Sequence, residues 1–280
     1  MVIFKETIKE MKLKDINYYA SNIIDAVERG RQIDLISNSE MPFRIRDAYK
    51  IADEIECRKI SKDEKVVGFK VGFTNRNIWE EYNAKAPIVG TMYNTTVSPL
   101  KKYFPVKNFL EPRIEPEIIF KMKRCPSYEM NDNELLGCIE SVAHGFEIVH
   151  SVFKDWKFKA ADTIAAFGLH GALIHGPFKA VEPCEQTEWV GNLPNFDITL
   201  YLNGNKVDKG KGSNILNSGP LEAIRYVLGP ELGSAQKVVI KPGDLITTGT
   251  LTGAYPIYPN QSWSTELSGI ELGGLCINFT

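Results

Sequence analysis

Four charged side chains alternate along a short segment near the middle of the chain. In EPRIEPEIIF, which begins at Glu111, the odd positions carry Glu111, Arg113, Glu115 and Glu117. Because successive side chains of an extended strand point to opposite sides, all four would lie on one face. Three carboxylates on one face repel each other, and Glu115 and Glu117, with a third carboxylate from elsewhere in the chain, would be ligands of a divalent cation such as Mg²⁺ or Mn²⁺. A solvated face in which Arg113 offsets one glutamate is the alternative.

A further carboxylate lies within an apolar stretch. Glu147 is the only acidic or basic residue besides histidine in HGFEIVHSVF, residues 144–153. An unpaired carboxylate among such neighbours would lose its hydration at a large cost in free energy. Glu147 therefore needs a partner, and a metal ion shared with Glu115 and Glu117 would be one.

The elements that position these residues follow from the spacing of apolar side chains. Apolar residues recur at three- and four-residue steps between Asp15 and Gly30 and again from Arg46 to Arg58, which predicts two helices. After Lys65 the sequence changes to short β-branched and aromatic runs bounded by Gly, Pro or Asn, a pattern typical of strands.

Two more helices and a hairpin are expected in this second part. Asp132 can cap a helix that carries the apolar residues from Leu135 to Ala143, and another helix is expected over residues 220–228. The Asn-Gly pair in LNGNKV predicts a tight hairpin.

These elements predict a mixed α/β fold. We expect a helical N-terminal segment, residues 1–64, followed by a mainly β catalytic domain, residues 65–280, with both parts forming one continuous unit.

Composition narrows the classes of partner and compartment. The 280 residues include 33 Lys and Arg against 35 Asp and Glu, for a net charge of -2, without a run of like charge. Neither nucleic acid nor an anionic membrane is an expected partner. The first residues break every apolar run with Lys or Glu, and the five cysteines lack metal or redox spacing, so we expect a cytoplasmic protein.

Five motifs resemble the fumarylacetoacetate hydrolase superfamily in sequence and in order. The similarity is strongest to its branch of 2-keto-4-pentenoate hydratases and 4-oxalocrotonate decarboxylases, and it extends over nearly the whole chain. The motifs are GFKVGFTN (68–75), PRIEPEI (112–118), FEIVHSVFKDWKFKAADT (146–163), LNGNKVDKGKG (202–212) and PGDLITTGTLTGAYPI (242–257).

The resemblance implies a fold, a metal and a set of site residues. It implies a mixed β-roll with a divalent metal, Mg²⁺ or Mn²⁺, held by Glu115, Glu117 and Glu147. Lys70 resembles the active-site lysine of the family, and Lys159 falls where hydrolase relatives carry a catalytic lysine.

The same resemblance extends to the substrate-binding loop. Gly249, Thr250 and Leu251 match the family's GSL or GTL loop, which lies near the oxo-acid end of the substrate. We also predict that Arg113, beside the glutamates, contributes to substrate binding.

Two positions depart from the pattern of the hydratases. Ile88 stands where those enzymes carry an acidic residue, and the segment AFGLHG replaces a more polar one. His170, at the end of that segment, becomes a candidate acid or base because imidazole titrates near neutral pH. A structural, hydrogen-bonded histidine is the alternative.

Three functions stay open on these grounds. The first is a hydratase-like lyase that acts on a 2-oxo acid or its dienol in the catabolism of aromatic compounds, where a metal would polarise the 2-oxo oxygen. The second is a decarboxylase of the 4-oxalocrotonate or oxaloacetate type, or an acylpyruvate C–C hydrolase. The third is a non-catalytic partner or small-molecule binding protein. The resemblance also implies a homo-oligomer, a dimer or larger, and association with a decarboxylase or hydratase relative.

Overall fold

The computed structural model describes residues 11–82 and 84–280, apart from the side chains of Ile78, Glu81 and Tyr82. The prediction of a cytoplasmic protein rests in part on the lack of an apolar run in the first residues of the chain. Most of those residues, 1–10, lie outside the described range. The helices are α1 (Leu13–Arg29), α2 (Ile45–Ile60), α3 (Trp79–Tyr82), α4 (Asp132–Leu136), α5 (Ala160–Ala165), α6 (Gln186–Asn192), α7 (Leu221–Leu228) and α8 (Pro230–Gly233). The strands are β1 (Val66–Gly72), β2 (Ile88–Tyr93), β3 (Val97–Pro99), β4 (Tyr103–Phe104), β5 (Arg113–Met122), β6 (Ile139–Val149), β7 (His170–His175), β8 (Lys179–Ala180), β9 (Asp197–Leu202), β10 (Asn205–Lys211), β11 (Leu245–Thr247), β12 (Tyr255–Pro256), β13 (Ser262–Ser268) and β14 (Cys276–Phe279).

The strands form two sheets, and the mixed α/β class expected from the sequence is confirmed. The larger sheet has the order β2-β1-β11-β5-β6-β7-β3, with β12 added beside β5 and β8 beside β6. The smaller sheet has the order β10-β9-β13-β14-β4. None of the helices in the described residues has the length and apolar character needed to cross a bilayer.

The antiparallel pair of β5 and β6 lies at the centre of the larger sheet. Its register places Glu115 directly opposite Glu147 and Glu117 opposite Gly145. On the other side of β5, β12 pairs only with residues 113–114 and β11 only with residues 119–121. Residues 115–118 therefore face a gap between two strands. Pro116, which has no N–H for a ladder, falls within this gap.

The length predicted for the helix that starts near Asp132 is wrong. Asn131 is its N-cap, and Asn131 and Glu134 form a reciprocal capping box. The helix ends at Leu136, and the chain from Ile139 onward forms β6. A central strand buried on both faces carries apolar residues at almost every position, so its spacing cannot be distinguished from that of a buried helix.

The other local predictions agree with the structure. Gly30 ends α1 in the left-handed conformation with φ of 62°, and α7 occupies the expected range. The β9–β10 hairpin turns at Asn203 and Gly204, whose φ values of 50° and 78° fit a type I′ turn. Buried residues of α1 and α2 share one core with the central strands. A division at residue 64 stays a prediction.

Candidate metal and substrate site

Three carboxylates meet on one face of the β5–β6 pair. Glu115 and Glu147 are cross-strand neighbours, and Glu117 lies two residues further along the same face. One carboxylate oxygen from each of the three lies within 4.8 Å of the others. Glu117 and Glu147 are fully buried, whereas Glu115 is partly exposed. The spacing and donor set suit a single cation with oxygen ligands.

Glu117 shows why a cation fits between these groups. Its Oε2 accepts a hydrogen bond of 2.9 Å from the backbone N–H of Gly249. Its Oε1 is buried and has no hydrogen-bond partner among the described residues. A buried carboxylate oxygen without a partner is costly, and a bound metal ion would satisfy it.

Lys70 lies beside the carboxylates because of the gap in the sheet. Its strand, β1, is separated from β5 by β11, which ends at Thr247. Past that point the Lys70 Nζ reaches Glu147, 3.1 Å from Oε2, and donates a hydrogen bond of 3.1 Å to the Gly168 carbonyl oxygen. Burial lowers the pKa of Lys70, but the carboxylates of Glu147, Glu115 and Glu117 outweigh it and raise the pKa above its usual value. The ammonium therefore stays charged.

The metal-free carboxylates are unequal in acidity. Burial raises the pKa of Glu115 to about 7 and raises the pKa of Glu117 well above its ordinary range. Burial acts in the same direction on Glu147, but Lys70 and the His170 hydrogen bond outweigh it and lower the pKa of Glu147 to about 2. Without metal, the negative charge is therefore concentrated on Glu147.

Metal affinity is expected to rise with pH through 7. Below pH 7 the carboxyl of Glu115 is protonated, with its pKa at about 7, and a metal ion has to displace that proton. From pH 6 to pH 7 we expect a gain of about tenfold or more in Mn²⁺ affinity, with release of about one to two protons per metal ion, because the pKa of Glu117 is raised as well. Isothermal titration in two buffers of different ionisation enthalpy measures both quantities. An affinity that is constant from pH 6 to pH 8 would contradict this assignment.

His170 contacts Glu147 from the neighbouring strand β7. Its Nδ1 lies 2.8 Å from Glu147 Oε1, and its Nε2 lies 2.9 Å from the Thr96 hydroxyl. The imidazole is buried. Both ring nitrogens are thus engaged, one with Glu147 and the other with Thr96, and His170 does not line the cavity described next.

A small cavity of about 30 Å³ lies next to Lys70 and Glu115. Thr250 and the backbone of two glycines, Gly72 and Gly168, also line it. The other lining side chains are apolar and come from five different segments of the chain: Phe73, Ile88, Val149, Trp156 and Leu169. Ile88, which departs from the hydratase pattern, therefore faces this cavity.

The loop 248–251 fills the gap beside β5. Leu251 N–H donates to the Pro116 carbonyl oxygen over 2.9 Å, and the Leu251 side chain is fully buried in the core. Gly249 has φ of 85°, and a Cβ there would lie 2.0 Å from the Thr74 hydroxyl oxygen. Only glycine fits, and its N–H can then reach Glu117.

Three cavity residues hold unfavourable backbone conformations. Phe73, Trp156 and Leu169 have φ values of 56°, 56° and 62°. Left-handed conformations of large side chains cost about 1 kcal/mol or more each and cluster at functional sites. Here they bring wall residues from three separate segments around one cavity.

Two other predicted site residues lie outside the cavity wall. The Arg113 guanidinium carbon lies 4.3 Å from the centroid of the Trp156 ring, and Arg113 donates to the Ala254 carbonyl oxygen. Lys159 is exposed, and its ammonium donates to the Ser37 carbonyl oxygen over 3.4 Å. Its catalytic role stays a prediction.

Sequence reasoning missed Thr96 and the carbonyl group of Gly168. Thr96 reaches His170 through the pairing of β3 with β7, which no local pattern indicates. Gly168 has φ of 62°, and its neighbours Phe167 and Leu169 also have positive φ. A glycine in the segment AFGLHG is the one sequence signal that could have indicated this irregular backbone.

Comparison with characterised proteins gives full-length similarities. The chain is 24% identical over 265 residues to a 4-oxalocrotonate decarboxylase of Pseudomonas sp., covering 95% of this chain and 98% of the relative. It is 25% identical over 268 residues to a 2-hydroxyhexa-2,4-dienoate hydratase of Comamonas testosteroni, covering 95% and 97%. No protein-family model matches the chain.

Solved structures share the fold. The 4-oxalocrotonate decarboxylase from Pseudomonas putida G7, complexed with magnesium and adipate, superposes with a TM-score of 0.85 at 22% identity, over 97% of this chain and 100% of that one. Fumarylpyruvate hydrolase from Pseudomonas aeruginosa, in complex with Mn²⁺ and pyruvate, gives a TM-score of 0.57 at 15% identity, over 76% and 88%. The chain thus has the fold of the fumarylacetoacetate hydrolase superfamily and is similar, over nearly its whole length, to the 2-keto-4-pentenoate hydratases and 4-oxalocrotonate decarboxylases.

Proposed function

We propose that this chain is a divalent-metal-dependent lyase that acts on a 2-oxo acid or its dienol, in the manner of a 2-keto-4-pentenoate hydratase. The observation that carries the proposal is the buried Glu117 Oε1, which has no hydrogen-bond partner in the part of the chain that the structure describes. This oxygen lies within a cluster of three carboxylates beside Lys70 and a cavity. A purely structural cluster would pair that oxygen.

Glu115, Glu117 and Glu147 would hold Mg²⁺ or Mn²⁺. The bound ion would supply Lewis acidity to the 2-oxo oxygen of a substrate that also binds through its carboxylate. A Mg²⁺-bound and a Mn²⁺-bound relative of the same fold support this choice of metal.

The protein's own groups would bind the substrate and move protons. A 2-hydroxy-2,4-dienoate takes one proton at C5 and gives up its hydroxyl proton to become a 2-oxo-3-enoate. Water then adds across the C3–C4 double bond, with its hydroxyl at C4 and its proton at C3. Lys70 remains protonated beside Glu147 and lines the cavity, so we assign it to holding or delivering the proton at the reacting oxygen. We assign Thr250 and Gly249, in the loop 248–251, to the oxo-acid end of the substrate.

Context for this activity comes from the relatives. A hydratase and a decarboxylase of this kind act on dienol acids and 4-oxalocrotonate by name. We place the chain in the cytoplasmic catabolism of aromatic compounds, as a homo-oligomer that can associate with a decarboxylase or hydratase relative.

A decarboxylase is the second candidate. A 4-oxalocrotonate decarboxylase has the high TM-score of 0.85 to this chain, and the same metal and lysine would stabilise the enolate left when carbon dioxide departs. An acylpyruvate hydrolase is less favoured, since the hydrolase structure superposes over a smaller part of the chain. A non-catalytic binding protein would have no use for three converging carboxylates.

The test is the consumption of a dienol acid by the metal-loaded protein. With Mg²⁺ or Mn²⁺, 2-hydroxypenta-2,4-dienoate is expected to lose its ultraviolet absorbance faster than in buffer, and 4-hydroxy-2-oxopentanoate is expected as the product. Release of carbon dioxide from 4-oxalocrotonate instead would favour the decarboxylase. Lack of turnover of both compounds, in a protein that binds its metal stoichiometrically, would refute both lyase assignments.

The contacts of His170 favour a positioning role over proton transfer. His170→Gln is expected to weaken Mn²⁺ binding by about 10- to 100-fold, because a group that orients a metal ligand tunes affinity. At saturating Mn²⁺ we expect kcat within about threefold of the wild type, whereas loss of a general acid or base costs about 10²- to 10⁴-fold. His175→Gln is the matched control. His175 lies on the same strand, and its Nδ1 is hydrogen-bonded to the Gly176 carbonyl oxygen rather than to a carboxylate. A fall in kcat of about 10²-fold or more at saturating Mn²⁺ would instead show that His170 is catalytic.

A further inference from the structure

The hydroxyl group of Thr74 holds the loop 248–251 at its first residue. Thr74 follows shortly after β1, the strand that carries Lys70, and its side chain is fully buried. Its Oγ1 donates a hydrogen bond of 2.6 Å to the Thr248 carbonyl oxygen. Thr248 is also fully buried, so its carbonyl group needs a donor from within the protein. The Thr74 hydroxyl supplies that donor.

The peptide group between Thr248 and Gly249 connects this hydroxyl to the metal site. In a planar trans peptide, the carbonyl oxygen and the N–H that follows it point in opposite directions. Thr74 holds the carbonyl end, and at the other end the Gly249 N–H donates over 2.9 Å to Glu117 Oε2. A chain of hydrogen bonds thus runs from the hydroxyl through one peptide group to a buried carboxylate, and each bond polarises the next.

The orientation of the Glu117 carboxylate depends on this chain of hydrogen bonds. Its Oε2 accepts the Gly249 N–H, whereas its Oε1 is the buried oxygen that lacks a hydrogen-bond partner in the described part of the chain. A carboxylate group can rotate about its last C–C bond unless one of its oxygens is held. Holding Oε2 therefore fixes the direction in which Oε1 points.

The segment that carries Thr74 is itself firmly held. The Thr74 carbonyl oxygen accepts a hydrogen bond of 2.9 Å from the Leu216 N–H. The side chain of Asn75 is buried, and its Nδ2 donates over 3.2 Å to the Thr252 carbonyl oxygen. Two successive residues thus hold the loop 248–251 at its start and just past its end. A group supported in this way can keep another group in one orientation.

We propose that Thr74 is a positioning residue for the metal site, which orients Glu117 through the Thr248–Gly249 peptide group. The proposal rests on the proposed function in that it takes Glu117 to be a metal ligand. Without the hydroxyl, the Thr248 carbonyl loses its donor, the peptide group can turn, and the Gly249 N–H can leave Glu117. Loss of a group that orients a metal ligand lowers metal affinity by about 10- to 100-fold.

The experiment compares Thr74→Val with Thr74→Ser. Valine keeps the shape of the side chain and lacks the hydroxyl, whereas serine keeps the hydroxyl and lacks the methyl group. Isothermal titration measures the Mn²⁺ affinity of both variants at one pH. We expect Thr74→Val to bind Mn²⁺ about 10- to 100-fold less tightly than the wild type, and Thr74→Ser to stay within about threefold. Wild-type affinity in Thr74→Val, or an equal loss in both variants, would overturn the proposal.

A matched control separates positioning from a general loss of stability. Thr163→Val removes another fully buried hydroxyl, which donates over 2.8 Å to the Ala160 carbonyl oxygen in α5. Both valine variants are expected to melt at a lower temperature than the wild type, because each leaves a carbonyl group without its donor. Only Thr74→Val is expected to lose Mn²⁺ affinity. An equal loss in Thr163→Val would show that affinity follows stability, and the proposal would fail.

A second pair of variants serves if Thr74→Val does not fold. Thr74→Ala and Thr74→Ser both lack the methyl group and differ only in the hydroxyl. We expect the alanine variant to bind Mn²⁺ about 10- to 100-fold less tightly than the serine variant. Equal affinities would contradict the proposal.

The outcomes separate this proposal from the proposed lyase activity. A loss of Mn²⁺ affinity confined to the variants without the Thr74 hydroxyl, in a protein that turns over neither a dienol acid nor 4-oxalocrotonate, would refute the lyase and leave the role of Thr74 standing. Turnover by the wild type, together with wild-type Mn²⁺ affinity in Thr74→Val, would leave the lyase standing and refute the role of Thr74. A wild-type protein that does not bind Mn²⁺ would overturn both.

Discussion

Replacing Glu117 by glutamine is expected to remove metal binding and activity while leaving the fold intact. Glutamine keeps an oxygen to accept the Gly249 N–H but loses the charge that a divalent ion needs. We expect Mn²⁺ affinity to fall by about 100-fold or more and kcat/KM by about 10³-fold. Isothermal titration and the dienol absorbance assay measure the two effects.

The thermal stability of the metal-free Glu117→Gln variant is expected to match or exceed that of the metal-free wild type. Burial raises the pKa of Glu117 well above its ordinary value, so ionisation of the metal-free protein is unfavourable and its stability falls as pH rises above the unfolded pKa. Glutamine removes that penalty. At pH 8, metal-free Glu117→Gln is expected to melt at or above the temperature of the metal-free wild type. Glu140→Gln, on the exposed side of β6 and paired with Lys121, should alter neither metal binding nor activity. A Glu117→Gln protein with wild-type activity would refute the metal assignment.

Replacing Lys70 by methionine is expected to separate metal binding from catalysis. The variant loses the ammonium that lies 3.1 Å from Glu147 and lines the cavity. We expect kcat to fall by about 10³-fold at saturating Mn²⁺, because a charged proton donor at the reacting group is gone. Mn²⁺ is expected to bind still, since the three carboxylate ligands remain.

The same substitution is expected to destabilise the metal-free protein. Glu147 would be a buried carboxylate without its ammonium partner, a loss of about 3 to 5 kcal/mol in the free energy of unfolding. Mn²⁺ should recover much of this loss, and thermal unfolding with and without Mn²⁺ measures the difference. Lys121→Met, at a half-exposed position of β5, is the control. A kcat within threefold of the wild type would remove Lys70 from the catalytic set.

Residue spacing predicted much of the site because the site is built on a strand. The alternation of EPRIEPEIIF predicted Glu115 and Glu117 on one face, and the apolar surroundings of Glu147 indicated a buried partner. Both expectations match the positions in the structure. The prediction that Glu111 shares this face is wrong, because β5 begins only at Arg113 and Glu111 lies in a bend with φ of 44°. The Asn-Gly hairpin and the α1 helix could also be predicted from the sequence, because a turn residue and a 3.6-residue period are local signals.

Contacts that depend on pairing between distant segments could not be predicted from the sequence. His170 was recognised as chemically competent, but its contact with Glu147 depends on the register of β6 with β7, which contains an irregularity at this point. The extent of the helix after Asp132 was wrong, because burial on both faces erases the period that separates strand from helix. The five apolar cavity residues come from separate segments, and any of them would also suit the core.

The register of β5 against β6 has a consequence for quality control of the folded protein. Because side chains alternate, a slip of one residue would move Glu147 to the opposite face from Glu115 and Glu117. Such a chain could keep its secondary structure and still be unable to chelate a cation. Metal content per chain would then report strand alignment, so slipped molecules could be counted in a preparation that looks uniform by circular dichroism.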